Sequence, residues 1–243
     1  MNSVLTQELD KFNILISLIK NSLKELKKAI AGEALLSPDL EAALNSMQLN
    51  MIPALWMKKS FNSLKPLGSY IKDLNSRLEF FKSWLYDGLP RVFWINKFFF
   101  AHGFLTGASQ NYARKFKIPI DTMDIDFKVI ADPEAPAPED GVYVMGMYME
   151  GCKWDAENFT LAESDPKVLF TMCPMVWFIP LKAVDKKEKD IYRTPLYLTA
   201  DRRGILATTG HSTNFVNYIN LPTNKDPAHW VKRGAAMICA LSD

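Results

Sequence analysis

The chain has 243 residues, of which 48% are hydrophobic and 23% are charged, a composition typical of a globular protein and not of a collagen-like or disordered chain. The formal net charge is +2, but residues 1–120 contain 16 Lys and Arg against 9 Asp and Glu, whereas residues 121–243 contain 13 against 18. This division favours two subdomains that dock electrostatically on neighbouring surfaces, and it argues against one broad nucleic-acid-binding surface.

The first segment has the clearest helical period in the sequence. Its apolar residues alternate spacings of four and three at Leu5, Leu9, Phe12, Ile16, Ile19, Leu23, Leu26 and Ile30. The other faces carry Lys11, Lys20, Lys24, Lys27 and Lys28. This pattern predicts an amphipathic helix that ends near Gly32, a residue type that is common just past a helix C-terminus. Because the stripe stops there, we expect it to pack on a neighbouring helix or subunit and not in a long coiled coil.

Two further helices are predicted before residue 90. Ser37 suits an N-cap, Pro38 suits the first helical position, and Asp39 lies near the positive end of the helix dipole, so a helix is predicted from there to about residue 49. Another helix is predicted after Pro66, as far as residues 87–90. Its apolar side consists of Leu67, Tyr70, Ile71, Leu74, Leu78, Phe81 and Leu85.

The segment after residue 90 is strongly apolar. Residues 92–95 and 98–100 are apolar enough to be buried on all sides, and a helix is predicted over residues 104–116. The sequence up to residue 121 therefore predicts a helical subdomain over residues 1–121.

Beyond residues 118–121 the apolar period shortens from about 3.6 to about 2 residues, which predicts strands. Ile125, Phe127 and Val129 alternate with Asp126 and Lys128. Residues 132–138 are rich in proline and are predicted as a loop, whereas residues 141–150 are predicted as one apolar strand. The second subdomain is predicted over residues 122–243.

Many short strands are predicted in this second subdomain. They cover residues 160–162, 175–180, 194–199, 205–209, 215–220 and 235–241. The charged residues 184–190 are interpreted as a solvated hairpin tip. A dense series of strands without intervening helices predicts an antiparallel sandwich or barrel, and the whole chain is therefore predicted to have an α+β fold.

No membrane segment and no signal peptide are predicted, so a cytosolic location is expected. The longest uncharged stretch, residues 98–113, is too short to span a bilayer. The three cysteines are Cys152, Cys173 and Cys239. Because they are odd in number and widely spaced, we expect reduced and mostly buried thiols.

The sequence lacks the patterns that hold phosphate or zinc. No G-x-x-x-x-G-K-S/T loop occurs, and no G-x-G-x-x-G follows a predicted strand. His102, His211 and His229 lie far apart, and none has a Cys or His partner at zinc-ligand spacing. We therefore expect no catalytic residue, no cofactor and no metal ligand in this chain.

Two alternatives remain open beside a non-catalytic module. A small hydrolase would need a nucleophile, a base and an orienting acid. The candidates are Ser212 or a cysteine as nucleophile, His211 or His229 as base, and an aspartate such as Asp201 as orienting acid. No nucleophile elbow surrounds Ser212, so the sequence gives the hydrolase no local support. The second alternative is a stand-alone β-barrel binding module, which would be built from the same predicted strands. A phosphate-binding patch would need residues 202–203 and 232–233 to meet, and solvent-facing or ion-paired arginines are the alternative to such a patch.

Specific strings resemble the C-terminal region of dynein heavy chains, nearest to the axonemal class. The first group is 63–67 (SLKPL), 104–107 (FLTG), 110–115 (QNYARK) and 118–121 (IPID). The second group is 141–143 (GVY), 150–155 (EGCKWD), 194–195 (TP), 202–204 (RRG), 208–216 (TTGHSTNFV) and 227–234 (PAHWVKRG). The order of these strings extends over essentially the whole chain. Two segments depart from the family pattern: residues 96–97 are NK where relatives often have Ser-Gly, and residues 101–103 are AHG where Pro-Gln-Ala is common. These departures bear on the assignment of the subtype and not on that of the family.

The resemblance implies a helical subdomain followed by an incomplete antiparallel β-barrel. It further implies that the domain lies across one face of the AAA+ ring of the same heavy chain and modulates ATP-driven movement along microtubules in cilia and flagella. ATP would be hydrolysed in ring modules outside this chain, so no catalytic residue is carried over. The partners implied are the ring modules and, indirectly, microtubules and other dynein subunits, with no nucleic acid and no membrane.

Overall fold

A computed structural model describes residues 1–183, 190–202 and 213–242. Nearly all of them fall into two compact units, Asn2–Gly88 and Leu89–Leu241. The division predicted at residue 121 follows the change from helices to strands, whereas the compact units divide after Gly88. As a boundary between subdomains, the division at residue 121 remains a prediction. The predicted strand at 205–209 and most of the predicted hairpin tip at 184–190 lie outside the described residues.

The first unit is built from four helices, of which the short α3 was not predicted and the other three begin and end close to the predicted positions. They are α1 (Asn2–Ile30), α2 (Pro38–Gln48), α3 (Ala54–Met57) and α4 (Leu67–Asp87). Ser37 is the N-cap of α2, and its hydroxyl accepts a hydrogen bond of 3.4 Å from the Leu40 N–H. Pro38 occupies the first helical position, where its missing N–H costs nothing. The cap predicted for α2 is confirmed.

Aromatic side chains fill the interior of this helical unit. The Phe12 and Phe81 ring centroids lie 5.3 Å apart, and Phe81 stacks on Trp84 at 6.0 Å. Phe61 stacks on Tyr70 at 5.2 Å. Such pairs contribute roughly 0.5–1.5 kcal/mol each beyond the burial of their area.

Toward the C-terminus of α1, residues of the predicted apolar stripe become exposed. Leu9 and Ile16 are half-buried, but Leu23 is 43% exposed and Ile30 is 70% exposed. A strict seven-residue spacing drifts by about 20° per repeat around a straight α-helix. The row that begins at Leu9 therefore rotates progressively out of the core. Leu23 and Ile30 of the predicted stripe are exposed for this reason, and the expectation that the stripe packs on a neighbouring helix or subunit remains a prediction for these two residues.

The second unit begins with an aromatic cluster around α5 (Ala101–Phe116). The Phe104 ring centroid of α5 lies 4.4 Å from that of Phe98 and 4.9 Å from that of Phe93. Phe93, Ile95 and Phe98 are buried, as predicted. Burial on all sides is wrong for the rest of the two segments, because Val92, Trp94 and Phe99 are half-buried and Phe100 is exposed.

The strands of the second unit are short and numerous. They are β1 (Val92–Trp94), β2 (Met123–Ile130), β3 (Val142–Met145), β4 (Tyr148–Glu150), β5 (Lys153–Asp155), β6 (Thr160–Ala162), β7 (Phe170–Met172), β8 (Met175–Lys182), β9 (Ile191–Thr199), β10 (Phe215–Pro222) and β11 (Ala236–Ala240). A short helix, α6 (Pro227–Lys232), lies between the last two strands. The α+β class is thereby confirmed.

The strands form sheets that differ in part from the prediction. The orders are β1-β3-β8-β2 and β10-β9-β11-β4-β7, with β5 and β6 paired separately. Most neighbours are antiparallel, but β1 pairs with β3 and β11 pairs with β9 in parallel. The described strands form no closed barrel, so the incomplete barrel that the resemblance implies is not confirmed.

The single strand predicted over residues 141–150 is instead two strands in different sheets. β3 belongs to the four-stranded sheet and β4 to the five-stranded sheet. They separate at Gly146, whose φ is +84° and whose Cα faces the Asn96 side chain so closely that a Cβ would collide with the Asn96 amide. Glycine adopts this left-handed conformation without a side-chain clash, and the chain turns there.

Among the helices of the described residues, none is long and apolar enough to cross a membrane.

Candidate functional site

Two of the four basic residues singled out in the sequence, Arg202 and Arg233, meet at the turn after β4. The Arg202 guanidinium pairs with the Glu150 carboxylate, and its Nη2 also donates to the Gly234 carbonyl oxygen at 3.2 Å. The Arg233 Nε donates to the Gly151 carbonyl oxygen at 3.3 Å. Folding therefore brings Arg202 and Arg233 to one turn, because β4 pairs with β11 directly after Arg233. Arg203 lies outside the described residues.

A second group of charges surrounds Glu163, a half-exposed residue just after β6. Lys225 Nζ lies 2.5 Å from Glu163 Oε1, and Arg233 Nη1 lies 3.2 Å from Glu163 Oε2. His229 Nε2 lies 3.2 Å from Glu163 Oε1, although it forms no hydrogen bond in the described structure. The hydrogen bond and charge of Lys225, followed by the charge of Arg233, hold the pKa of Glu163 below its ordinary value. We call this set, Glu163, Lys225, His229 and Arg233, the Glu163 cluster.

The Glu163 cluster fastens α6 to the end of β6. Asp226 caps α6 by accepting a hydrogen bond of 2.7 Å from the Ala228 N–H. Trp230 of α6 is fully buried, and its indole N–H donates to Thr223 Oγ1 at 2.7 Å.

Both arginines that reach the β4 turn have carboxylate partners. The ion-paired alternative is confirmed for Arg202 and Arg233, and these side chains are not arranged as an open phosphate cradle.

The histidines occupy separate environments. His102 lies on α5, with Nδ1 3.4 Å from the Val216 carbonyl oxygen, and His229 belongs to the Glu163 cluster. Within the described ranges, no group of three His, Cys, Asp or Glu side chains is placed to hold a metal ion. His211 and Ser212 lie outside the described residues, so the structure does not describe the arrangement required for a hydrolase.

The cysteines lie in the interior of the second unit. Cys152, Cys173 and Cys239 are all buried thiols, as predicted. Burial raises the pKa of the Cys152 thiol to about 12 and also raises that of Cys173. Since the thiolate and not the thiol is the nucleophile, neither side chain is prepared for covalent catalysis.

One polar cleft was not anticipated from the sequence. It has a volume of about 430 Å³ and is bordered by α5, β2, β9 and β10. Its lining includes His102, Asp124, Arg193 and Tyr218, and the Arg193 guanidinium lies 4.6 Å from the Tyr218 ring centroid. The alternation of apolar and polar residues predicted strand β2, which contains Asp124. Nothing in the sequence near Asp124 indicates that Arg193 of β9 lies in the same cleft. The cleft combines a cation, a carboxylate and an imidazole at a surface, without a buried nucleophile among the residues that line it.

Comparison with known proteins identifies the family. The family model that describes the C-terminal domain of the dynein heavy chain matches residues 1–239. The chain is 48% identical to dynein axonemal heavy chain 12 of Homo sapiens over 244 residues, which is 100% of this chain and 8% of that protein. It is 47% identical to dynein axonemal heavy chain 3 of Mus musculus and 46% identical to dynein axonemal heavy chain 1 of Homo sapiens, covering 6% of each and 100% and 99% of this chain respectively.

The chain therefore spans a small part of the length of the curated relatives that it matches. The match of the family model over nearly the whole chain, together with these identities, establishes that the chain belongs to the family formed by the C-terminal domains of dynein heavy chains.

Proposed function

We propose that the chain is the C-terminal domain of an axonemal dynein heavy chain, where it packs across the AAA+ ring and modulates ATP-driven motor activity. Family membership and the axonemal class of the relatives support this proposal. The setting is then the cytoskeleton of a cilium or flagellum. The partners are the ring modules of the same heavy chain and, through them, microtubules and other dynein subunits.

Exposed apolar side chains at two helix ends support the proposal that the domain packs on the ring. At the end of α2, Leu49 is 71% exposed, and the nearby Met51 is exposed as well. At the end of α4, Tyr86 is 76% exposed beside the exposed Leu85. Contiguous exposed apolar surface marks protein-interaction sites, and each of these helix ends presents a pair of exposed apolar side chains. We assign these two helix ends to the interface with the ring.

The domain acts by binding and not by chemistry of its own. Arg202 and Arg233 are engaged by carboxylates, and the Cys152 and Cys173 thiols are buried with raised pKa values. ATP is hydrolysed elsewhere in the heavy chain. A domain that stabilises one ring conformation over another changes the equilibrium by a coupling free energy of about 1–3 kcal/mol, and motor output changes with it.

A reconstitution experiment tests the packing. The chain is added to a purified parent motor that lacks residues 1–243, and binding is measured by calorimetry. Saturable one-to-one binding is expected, and Leu49→Ser with Met51→Ser and Tyr86→Ser should weaken it about tenfold or more, as loss of central apolar contacts does.

The matched control removes as many exposed apolar side chains from the second unit. Phe159→Ser, Leu169→Ser and Val231→Ser should leave the affinity within about twofold, since surface apolar residues outside an interface contribute little to binding. Absence of binding by the unaltered chain, or equal weakening by both sets, would count against this interface.

The non-catalytic role has its own measurement. Calorimetry of the isolated chain with ATP should show no binding heat at nucleotide concentrations of about 1 mM. A nucleotide site of micromolar affinity on this chain would contradict the proposal.

A further inference from the structure

Four lysines form one exposed strip on the last turns of α1. Lys20, Lys24 and Lys28 follow one another at four-residue spacing, and Lys27 lies three residues from Lys24. Residues three and four apart are neighbours on a helix surface, so the four side chains share one face. All four are exposed. We call this set the lysine strip.

The lysine strip has no internal counter-charge in the described structure. Within residues 1–183, 190–202 and 213–242, no Asp or Glu oxygen lies within the 4.0 Å ion-pair distance of any of the four ammonium groups. Favourable interaction with the negative end of the helix dipole accounts for Lys27 and Lys28, which lie in the last turn. It does not account for Lys20 and Lys24, because the effect falls off within that turn.

An apolar edge runs beside the strip. Leu23 lies three residues after Lys20 and four before Lys27, and Ile30 lies three residues after Lys27. Both apolar side chains are exposed, as described above. The same surface thus presents a row of cations next to two aliphatic side chains.

The opposite side of α1 faces the interior. Phe12, Leu15 and Leu26 are buried, and they lie on the side of the helix away from the strip. The apolar surface that α1 leaves exposed beside the strip is thus limited to Leu23 and Ile30, which is narrower than the broad apolar face that basic amphipathic helices insert into membranes.

The surface near the strip is concave. A depression of about 640 Å³ is lined by Asn21, Lys24, Glu25, Lys27, Lys28, Ala31 and Glu33. The chain turns there through Gly32, whose φ is +76°, and the Glu33 N–H donates to the Lys28 carbonyl oxygen at 2.9 Å. The helix end is thus closed by its own backbone and leaves the lysine side chains available.

We propose that the lysine strip docks an amphipathic helix of a protein partner, with carboxylates against the lysines and apolar residues against Leu23 and Ile30. The strip spans the nine residues from Lys20 to Lys28, a rise of about 12 Å, which matches two to three turns of a facing helix. Acidic side chains complement the charge, and apolar side chains of the same helix would cover Leu23 and Ile30, which a nucleic acid bound to the lysines through its phosphates would leave uncovered. This site is separate from the α2 and α4 ends and does not depend on the function proposed above.

The test uses the 243-residue protein and a labelled synthetic peptide. The peptide has about 14 residues, enough for nearly four helical turns, with Glu at four-residue spacing and Leu alongside. A peptide of the same composition in scrambled order keeps the charge but not the face. Fluorescence anisotropy should show binding of the first peptide that weakens with salt, and binding of the scrambled peptide at least about tenfold weaker.

Charge reversal at Lys20, Lys24, Lys27 and Lys28 to Glu should reduce peptide affinity by more than about tenfold, since each exposed pair contributes up to about a factor of five. The matched control reverses four other exposed lysines, Lys11, Lys58, Lys59 and Lys72, and should leave affinity within about twofold. The same four strip lysines changed to Gln give a milder variant if the reversed chain does not fold. Leu23→Gln with Ile30→Gln should weaken binding in the unreversed chain.

Several outcomes would overturn the proposal. They are equal binding of the ordered and scrambled peptides, equal loss in the control variant, and no effect of the Leu23 and Ile30 changes. Anionic phospholipid vesicles and a DNA duplex serve as further probes. If either binds through the strip while the ordered peptide does not, the partner assigned here is wrong.

Discussion

The indole N–H of Trp56 donates a hydrogen bond of 2.9 Å to the hydroxyl oxygen of Ser22 inside the helical unit. The same hydroxyl donates to the Ile19 carbonyl oxygen at 2.9 Å, so it is satisfied as donor and as acceptor. Trp56 and Ser22 are both buried. A serine thus occupies the buried face of α1 because the bulky indole beside it requires an acceptor.

Replacing Ser22 should therefore destabilise the chain. Ser22→Ala leaves the Trp56 N–H buried without an acceptor, and the free energy of unfolding should fall by about 1–3 kcal/mol. Urea titration followed by circular dichroism measures this change. Ser17→Ala on the exposed side of α1 is the control and should change stability by less than about 0.5 kcal/mol. Equal effects at both positions would show that the hydrogen bond contributes nothing.

Gly141 should tolerate alanine less well than Gly32. Both have left-handed backbones, with φ of +78° and +76°, so the conformational cost of a Cβ is similar, about 1–2 kcal/mol. A Cβ at Gly32 would contact nothing within 4 Å, whereas one at Gly141 would collide with the Phe178 carbonyl oxygen. Gly141→Ala should lower the free energy of unfolding by at least about 1 kcal/mol more than Gly32→Ala. Thermal or urea unfolding of both variants decides this, and equal losses would contradict it.

The Glu163 cluster should make stability depend on acid pH. The pKa of Glu163 is lowered chiefly by its hydrogen bond from Lys225, so its contribution is complete above the ordinary value of 4.5 and disappears as the pH falls through the lower pKa of the folded protein. Glu163→Gln should therefore reduce stability near about pH 7 and reduce it progressively less as the pH is lowered below 4.5 toward about 2. Urea midpoints across this range test the prediction, with the exposed Glu157→Gln as control. A Glu163→Gln effect of the same size at both pH values would refute the assignment.

The buried thiols should be slow to react. Burial raises the pKa of Cys152 to about 12 and raises that of Cys173, so very little thiolate is present at about pH 8. A chromogenic disulfide reagent should modify Cys152 and Cys173 slowly in the native chain and rapidly in urea. Mass spectrometry of the early products identifies the sites. Rapid native labelling of either cysteine would contradict their burial.

Local chemistry in the sequence predicts the helices well. The Ser37 cap and Pro38 fix the start of α2, and the Gly88 region ends α4 near the predicted residue. The prediction of one strand over residues 141–150 failed because the division of this strand depends on a contact with a residue distant in the sequence. The turn at Gly146 faces Asn96, fifty residues earlier, and no period within residues 141–150 indicates that the strand divides there.

The charged sites show the same limit. The sequence named Arg202 and Arg233 as candidates, but their meeting depends on the pairing of β11 with β4. Glu163 was not singled out, because its cations come from residues more than sixty positions further along the chain. Strand register, and not any local motif, assembles these sites.

Comparing a parent dynein motor with and without residues 1–243 tests the central claim most directly. Microtubule-stimulated ATPase rate and gliding velocity are measured on the same preparation. Under the proposed role, in which the domain biases the ring and ATP is hydrolysed elsewhere, we expect ATP hydrolysis to persist without the domain while its coupling to movement changes. Identical ATPase rate and gliding velocity in the two motors would contradict the account.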